Sequence, residues 1–241
     1  MERIYQYMSE YIMTNHELCG KLLWIAEDLK TLYVMGGIGF PLNSTGKKRA
    51  FQYAYNKDHT RQRMIMAATD DTFAFDCVCL VKSVLWGFSG DRNQRYGGAQ
   101  YASNGIPDCS IPLLYRMGSK HSEDMNDIAV GEFLVLHDHH CGVYVGNGLV
   151  VESTPAWENK VQITKLSQRP WKKHCYLPNV KYEGVAEAKP EYPYPQYTDT
   201  ELAFRAIRGL HGTGNDRKRD LGTRYRAVQD EVNRILKGVK R

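Results

Sequence analysis

No apolar stretch in this chain approaches the 18 residues that a membrane-spanning helix needs, so no helical membrane span is expected. The opening run Met1-Glu2-Arg3-Ile4-Tyr5-Gln6-Tyr7 lacks the uninterrupted apolar core of a secretory signal. The expectation is therefore a soluble chain made and kept in the cytoplasm, reaching any extracellular target by another export route. Cysteine is sparse: Cys19, Cys77, Cys79, Cys109, Cys141 and Cys175 are dispersed through 241 residues, with no Cys-x-x-Cys knuckle. That excludes a disulfide scaffold, and the six read as reduced thiols. Gly36-Gly37-Ile38-Gly39 lacks the lysine of a phosphate-binding loop and follows a helical pattern instead of a strand. Charge of one sign is also scarce outside the tail: residues 196–241 carry 11 Lys and Arg against 6 Asp and Glu, and the remainder is balanced at 21 each. A basic tail suits nucleic acid, anionic lipid or an acidic wall polymer, and charge alone does not choose.

What is present is enough apolar residue, 42%, for a sizeable core and a small appendage. Thr14-Asn15-His16-Glu17 has capping-box spacing, and Leu18, Leu22, Ile25 and Leu29 follow at helical intervals, predicting about four turns of helix before Tyr33. Tyr33 to Pro41 reads as a turn-rich loop, and Asn43 to Arg63 shows too little periodicity to assign. From Cys77 a second helix is expected, with Asp76 as N-cap and Leu80, Val81, Val84, Leu85 and Phe88 on its apolar face. A long loop then runs from Gly87 to about Asp127, followed by short strands at 130–136, 139–146, 149–154 and 160–164. Helices first and a strand meander after them indicate an α+β fold for residues 1–184. Pro190, Pro193 and Pro195 mark 185–197 as an extended linker. Beyond it, Thr198-Asp199-Thr200-Glu201, a stop at Gly209 and the stripe Tyr225, Val228, Val232, Ile235 predict a three-helix module over 198–241, present in one copy.

A cysteine in the first turn of a helix and a histidine on a downstream strand form the usual arrangement of a thiol nucleophile and its base. Converging helix N–H groups and an imidazole lower a thiol pKa from about 8.5 to roughly 3.5–7.5. The bland alternative for Cys77 is a buried structural thiol packing as a small hydrophobe. Four histidines compete as base: His137, His139, His140 and His174. If Gly146-Asn147-Gly148 is a three-residue hairpin loop, Val145 pairs with Leu149, and His140 and Glu152 become diagonal neighbours on one face, about 7–8 Å apart at the backbone. A two-residue Asn-Gly turn puts them on opposite faces, so a Cys77–His140–Glu152 triad depends on the register. A rival set, His137, His139 and Cys141 on alternate positions of one strand, has metal-ligand chemistry but no second element to close a tetrahedral site. Trp86, Trp157 and Trp171 fit either a core or a groove wall.

Taken together, the Tyr-x-x-Gly-Gly element at Tyr33, the Asp-Cys-x-x-Leu helix entry at Cys77, and the His-x-Gly-x-Tyr-x-Gly strand at His140 with Glu152 twelve residues on resemble the NlpC-type, papain-like cysteine peptidases that cut peptidoglycan stem peptides. The resemblance covers about residues 15–178. It implies Cys77 as nucleophile, His140 as general base and then acid, Glu152 as the third polar residue, and Tyr33, grouped with Asp76, beside an oxyanion site to which the Cys77 N–H contributes. It implies no metal or cofactor. Cys79 stands where the family usually has glycine, and Glu152 where many members have histidine. The run from Leu85 to Gly105 resembles the phage-encoded branch, implying an endolysin held in the infected cell's cytoplasm until a holin releases it to the wall. The tail resembles a Cpl-seven type wall-binding repeat, with Asp216, Arg217, Tyr225 and Gln229 the matching positions for muropeptide contact, although a solvated helix face has the same charges. Leu210-His211 replaces a common Lys-Trp pair. The implied substrate is peptidoglycan, cut as by a γ-D-glutamyl-type endopeptidase. The alternatives are an N-acetylmuramoyl-L-alanine amidase with the same residues, a non-catalytic wall-binding protein, and a nucleic-acid-binding tail.

Overall fold

The computed structural model describes residues 12–184 and 197–238, which fall into two compact units, one before and one after the segment 185–196. The expected linker, 185–197, lies almost wholly outside the described residues. In the first unit the chain runs β1 (Met13–Thr14), α1 (Asn15–Asp28), β2 (Thr31–Tyr33), β3 (Ile38–Pro41), α2 (Ser44–Ala50), a 3-10 turn (Ala54–Lys57), α3 (His59–Ala67), β4 (Phe73–Phe75) and α4 (Cys77–Leu85). It continues through α5 (Ile111–Met117), β5 (Ser119–Ser122), β6 (Phe133–His137), β7 (His140–Gly146), β8 (Leu149–Thr154), β9 (Lys160–Lys165), β10 (Lys173–Tyr176) and β11 (Val180–Lys181). The mixed α and β content agrees with the expected class.

Helix α1 starts where its capping box requires: the Thr14 side chain accepts from Glu17 N–H and the Glu17 carboxylate accepts from Thr14 N–H. Its Leu18, Leu22, Leu23 and Ile25 are fully buried, each contributing about 1.5–3 kcal/mol by leaving water. Helix α4 is the central element, packed against α1, β3, β7 and β8, with only Val78 among its nine residues not buried. Lys82 is tolerated there because its ammonium donates to Asp108 and, at 2.8 Å, to the Cys109 carbonyl.

Three strands, ordered β2-β4-β3, deliver the chain to α4; β2 runs parallel to β4 and β3 antiparallel to it. The larger sheet has the order β5-β10-β6-β7-β8-β9 and is antiparallel throughout. Its faces are distinct. Even-numbered positions Leu134 and Val150 gather with Trp171 on one side, while odd-numbered Phe133, Cys141, Val143 and Val151 are buried on the other.

Several expectations are corrected. The segment read as a turn-rich loop at 33–41 contains the end of β2 and all of β3, with the reversal confined to residues 34–37. A side chain at Gly37 would strike the backbone of Ala74 and Phe75 at 2.7 Å, so the glycines that suggested a loop are there for close strand approach. The unassigned stretch from Asn43 folds as α2, the 3-10 turn and the start of α3, capped by Asn43 and Asp58. The 87–127 loop is interrupted by α5 and β5, and β10 and β11 add strands beyond the expected four. The loop is also pinned: Trp86 Nε1 donates to Ile106 O at 2.7 Å, and Asn104 Nδ2 to Leu85 O at 2.8 Å.

The second unit comprises α6 (Asp199–Ile207), α7 (Asn215–Leu221) and α8 (Tyr225–Gly238), a small helical module as expected. Thr198 and Glu201 form the capping box, Gly209 ends the first helix at φ +84°, and Leu202, Ala203, Ala206, Leu221, Val228 and Val232 fill the core.

Candidate functional site

The chain arrives at Cys77 along β4 and turns into α4 at Asp76. Asp76 Oδ1 accepts the Cys79 N–H at 2.7 Å as N-cap, and Oδ2 accepts the Gly36 N–H at 3.0 Å. Both oxygens are thus committed to the backbone, tying the Gly36–Gly37 turn to the helix start. Burial and the neighbouring Cys77 push the Asp76 carboxyl up to about 6. Ser153, on β8, donates to Phe75 O at 2.9 Å, which fixes the large sheet against the residue two before the thiol.

Strand β7 begins at His140, beside that helix start. The hairpin register settles which face it takes. Gly146 pairs with Leu149 across a two-residue Asn147-Gly148 turn, the loop that on its own would separate His140 from Glu152. An irregularity at Val145, with Gly146 at φ +93°, restores the Tyr144–Val150 and Val143–Val151 pairs. The expected diagonal relation is regained, and His140 Nε2 lies 2.5 Å from Glu152 Oε2.

Glu152 is fully buried, and burial opposes its charge. Hydrogen bonds from His140, Arg169 and Thr164 outweigh that penalty and hold its carboxyl below the usual value. Thr164 Oγ1 donates at 2.6 Å and Arg169 Nε at 3.0 Å to Oε1. Arg169 also donates from Nη2 to Thr154 Oγ1 at 3.0 Å and lies over the exposed ring of Trp157. Trp171 stacks on the His140 imidazole with centroids 5.9 Å apart. These contacts leave Nδ1 as the imidazole nitrogen not used by Glu152.

Cys77 is 6% exposed. The adjoining Cys141 thiol, and against burial also His140, lower its pKa to about 5. Hydrogen bonds and charge from Cys77 and Glu152 raise His140 despite burial. The other thiols move the opposite way: burial pushes Cys19 and Cys175 up to about 12 and raises Cys79, Cys109 and Cys141. Tyr33 pairs with Phe75 beside the site, and burial together with Cys77 raises its phenol. Such a set can hold a thiolate–imidazolium pair with no further group.

The remaining sequence candidates take other roles. His174 is buried on β10 against Glu132 and Asp127, a structural role. His137 ends β6 and pairs with His140, and His139 lies in the turn, so His137, His139 and Cys141 do not share one strand. Among the described residues no group of three or more His, Cys, Asp or Glu is placed to hold a metal ion. Trp86 is core, Trp157 is 55% exposed, and Trp171 covers the histidine. In the second unit Arg217 is turned inward: it donates to Gly212 O, Ala206 O and Gln229 Oε1 at 3.0–3.1 Å. Lys218 Nζ sits over the Tyr225 ring, and Asp216 is exposed at the start of α7.

Sequence reasoning missed Arg169 and Thr164, and weighed Cys141 only as a metal ligand, not as a neighbour of Cys77. Cys141 follows the histidine on the opposite strand face, a period-two signal that was legible; Thr164 reaches Glu152 across the β8–β9 pairing, and Arg169 reaches it from beyond the end of β9.

No curated protein matches the chain. Two solved structures from Trichomonas vaginalis are similar at 14% identity: NlpC2, covering 74% of this chain and 50% of its own, with a TM-score of 0.38, and NlpC1, covering 72% and 48%, with a TM-score of 0.29. The chain spans about half the length of these structures. The NlpC/P60 family matches residues 49–179, beginning after Tyr33, and the CW_7 repeat matches residues 200–236. The family match covers more than half of the chain, and the chain belongs to the NlpC/P60 family, with a CW_7 repeat following its family domain.

Proposed function

We propose that this chain is a peptidoglycan hydrolase that cuts an amide of the stem peptide by a Cys77–His140–Glu152 thiol mechanism, as a γ-D-glutamyl-type endopeptidase. The observation carrying this reading is the placement of Cys77 at the start of α4, beside an imidazole whose Nε2 is held 2.5 Å from the buried Glu152 carboxylate. In the proposed reaction the Cys77 thiolate attacks the carbonyl carbon, and the oxyanion collects on the Cys77 N–H with Tyr33 close by. The His140 imidazolium protonates the departing amine. The neutral imidazole then removes a proton from water, which releases the acid and restores the thiol pair. Glu152 keeps Nε2 protonated throughout, so that Nδ1 exchanges the proton. The CW_7 repeat supports a wall target, and the run from Leu85 to Gly105 supports an endolysin role, with release through a holin.

The test is mass spectrometry of fragments released from purified peptidoglycan by the wild type and by Cys77→Ala. New amine termini inside the stem, absent with the variant, support the endopeptidase. A free L-Ala amine with intact stems assigns the amidase instead, and a folded, wall-binding wild type that releases nothing leaves only a binding protein.

A further inference from the structure

A basic cleft lies at the other end of β3 from the thiol. Pro41, which lines it, pairs with Phe73 at the start of β4, whereas Ile38 pairs with Phe75 at the end that leads to Cys77. The cleft has a volume of about 550 Å³ between α2 and the loop after α4, and its lining holds Lys48, Arg49, Arg92 and Arg95 with no carboxylate. None of the four makes an ion pair with another described residue. The positive charge is local, since the chain outside its tail is balanced at 21 residues of each sign.

The wall is also built. Arg49 is held in place by donating to Tyr96 Oη at 2.9 Å and lying over the Phe40 and Tyr96 rings, with Arg95 on the Tyr96 ring as well. A guanidinium fixed in this way meets an oxyanion with little ordering cost, and its planar fork suits two oxygens of one phosphate. Lys48, Arg92 and Arg95 are exposed around it, so more than one anionic group is matched at once. Stem-peptide carboxylates are spaced singly and belong at the thiol. Bases of a single-stranded nucleic acid need free aromatic faces, and arginines already occupy the rings here.

We propose that this cleft binds a phosphodiester-linked polyanion of the cell wall, holding the enzyme on wall that carries such a polymer. The proposal rests on the wall-directed reading above. Fluorescence anisotropy of a labelled glycerol-phosphate oligomer is measured with full-length Cys77→Ala and with the same protein carrying Lys48→Gln, Arg92→Gln and Arg95→Gln, three exposed positions outside the Arg49 hydrogen bond to Tyr96 Oη. The expected result is salt-sensitive binding that the triple change weakens about tenfold or more. Equal affinity in both proteins overturns the site and assigns any binding to the tail. Tighter binding of an oligodeoxynucleotide of equal charge, or inorganic phosphate competing as well as the oligomer mole for mole, overturns the wall-polymer occupant. Cleavage of phosphate-stripped peptidoglycan by the wild type reads the thiol site separately, so failure of the hydrolase reading is distinguishable from failure of this one.

Discussion

Arg169 and His140 approach the same buried carboxylate of Glu152, His140 through Oε2 at 2.5 Å and Arg169 through both oxygens at 2.8–3.0 Å. A glutamate at this position brings a full charge into a fully buried place, and the guanidinium offsets it while still leaving an acceptor for the imidazole. Removing one partner of such a pair leaves an uncompensated charge. Arg169→Ala is therefore expected to lower stability by about 3 kcal/mol and to reduce kcat/KM. Arg169→Lys should recover part of the stability, and urea unfolding of the three proteins beside their activities checks this. Unchanged stability in Arg169→Ala would show that Glu152 does not rely on the guanidinium.

Cys141 tests what lowers the thiol pKa. Its thiol and the His140 imidazole together hold Cys77 near 5 against burial. Cys141→Ala should move the acid limb of the kcat/KM profile upward by about one pH unit, whereas Cys141→Ser, which keeps a donor, should move it little. The signs follow from the two shifts. Activity is lost as pH falls through the depressed Cys77 value, because the nucleophile protonates. It is lost again as pH rises through the raised His140 value, because the leaving amine loses its acid. The working window thus opens near pH 5 and closes above the ordinary histidine value of 6.5.

Ser153→Ala removes one of the two hydrogen bonds on Phe75 O, the other coming from Val34 N–H at 3.0 Å. A loss of about 0.5–1.5 kcal/mol is expected by thermal or urea unfolding. Ser153 is also the sheet's tie to the strand leading into Cys77, so kcat should fall more than KM rises.

In the second unit, Arg217→Ala should unfold the module at lower temperature in addition to weakening wall retention, because its donors are spent on Ala206, Gly212 and Gln229. A loss confined to wall binding, with unchanged unfolding of the full chain, would show instead that Arg217 acts as a contact residue.

Helix starts were the most legible in the sequence, since caps act locally: Thr14 with Glu17, Asp76, and Thr198 with Glu201 all cap where their spacing placed them, although α4 ends at Leu85, short of the Phe88 expected on its stripe. The β7–β8 relation was legible only as a conditional. The loop took the shorter form, and the irregularity at Val145 returned the register the longer form would have given. Thr164 was invisible because its role arises from pairing between strands and Arg169 because it reaches back from beyond β9, while α2, α3 and α5 were hidden by short length and the first two also by polar faces. The basic stretch after Asn43, featureless as a string, supplies half the cations of the cleft.

The most direct measurement is the rate at which iodoacetamide alkylates Cys77, followed by peptide mass spectrometry from acid to alkaline pH in the wild type and His140→Ala. The expected result is a rate that rises through an inflection near pH 5 and then levels, with the inflection displaced upward in the variant, while the other five cysteines stay unmodified in that range. A rate that climbs only toward the ordinary thiol value of 9.0, identically in both proteins, would contradict the thiolate–imidazolium pair on which the proposed chemistry depends.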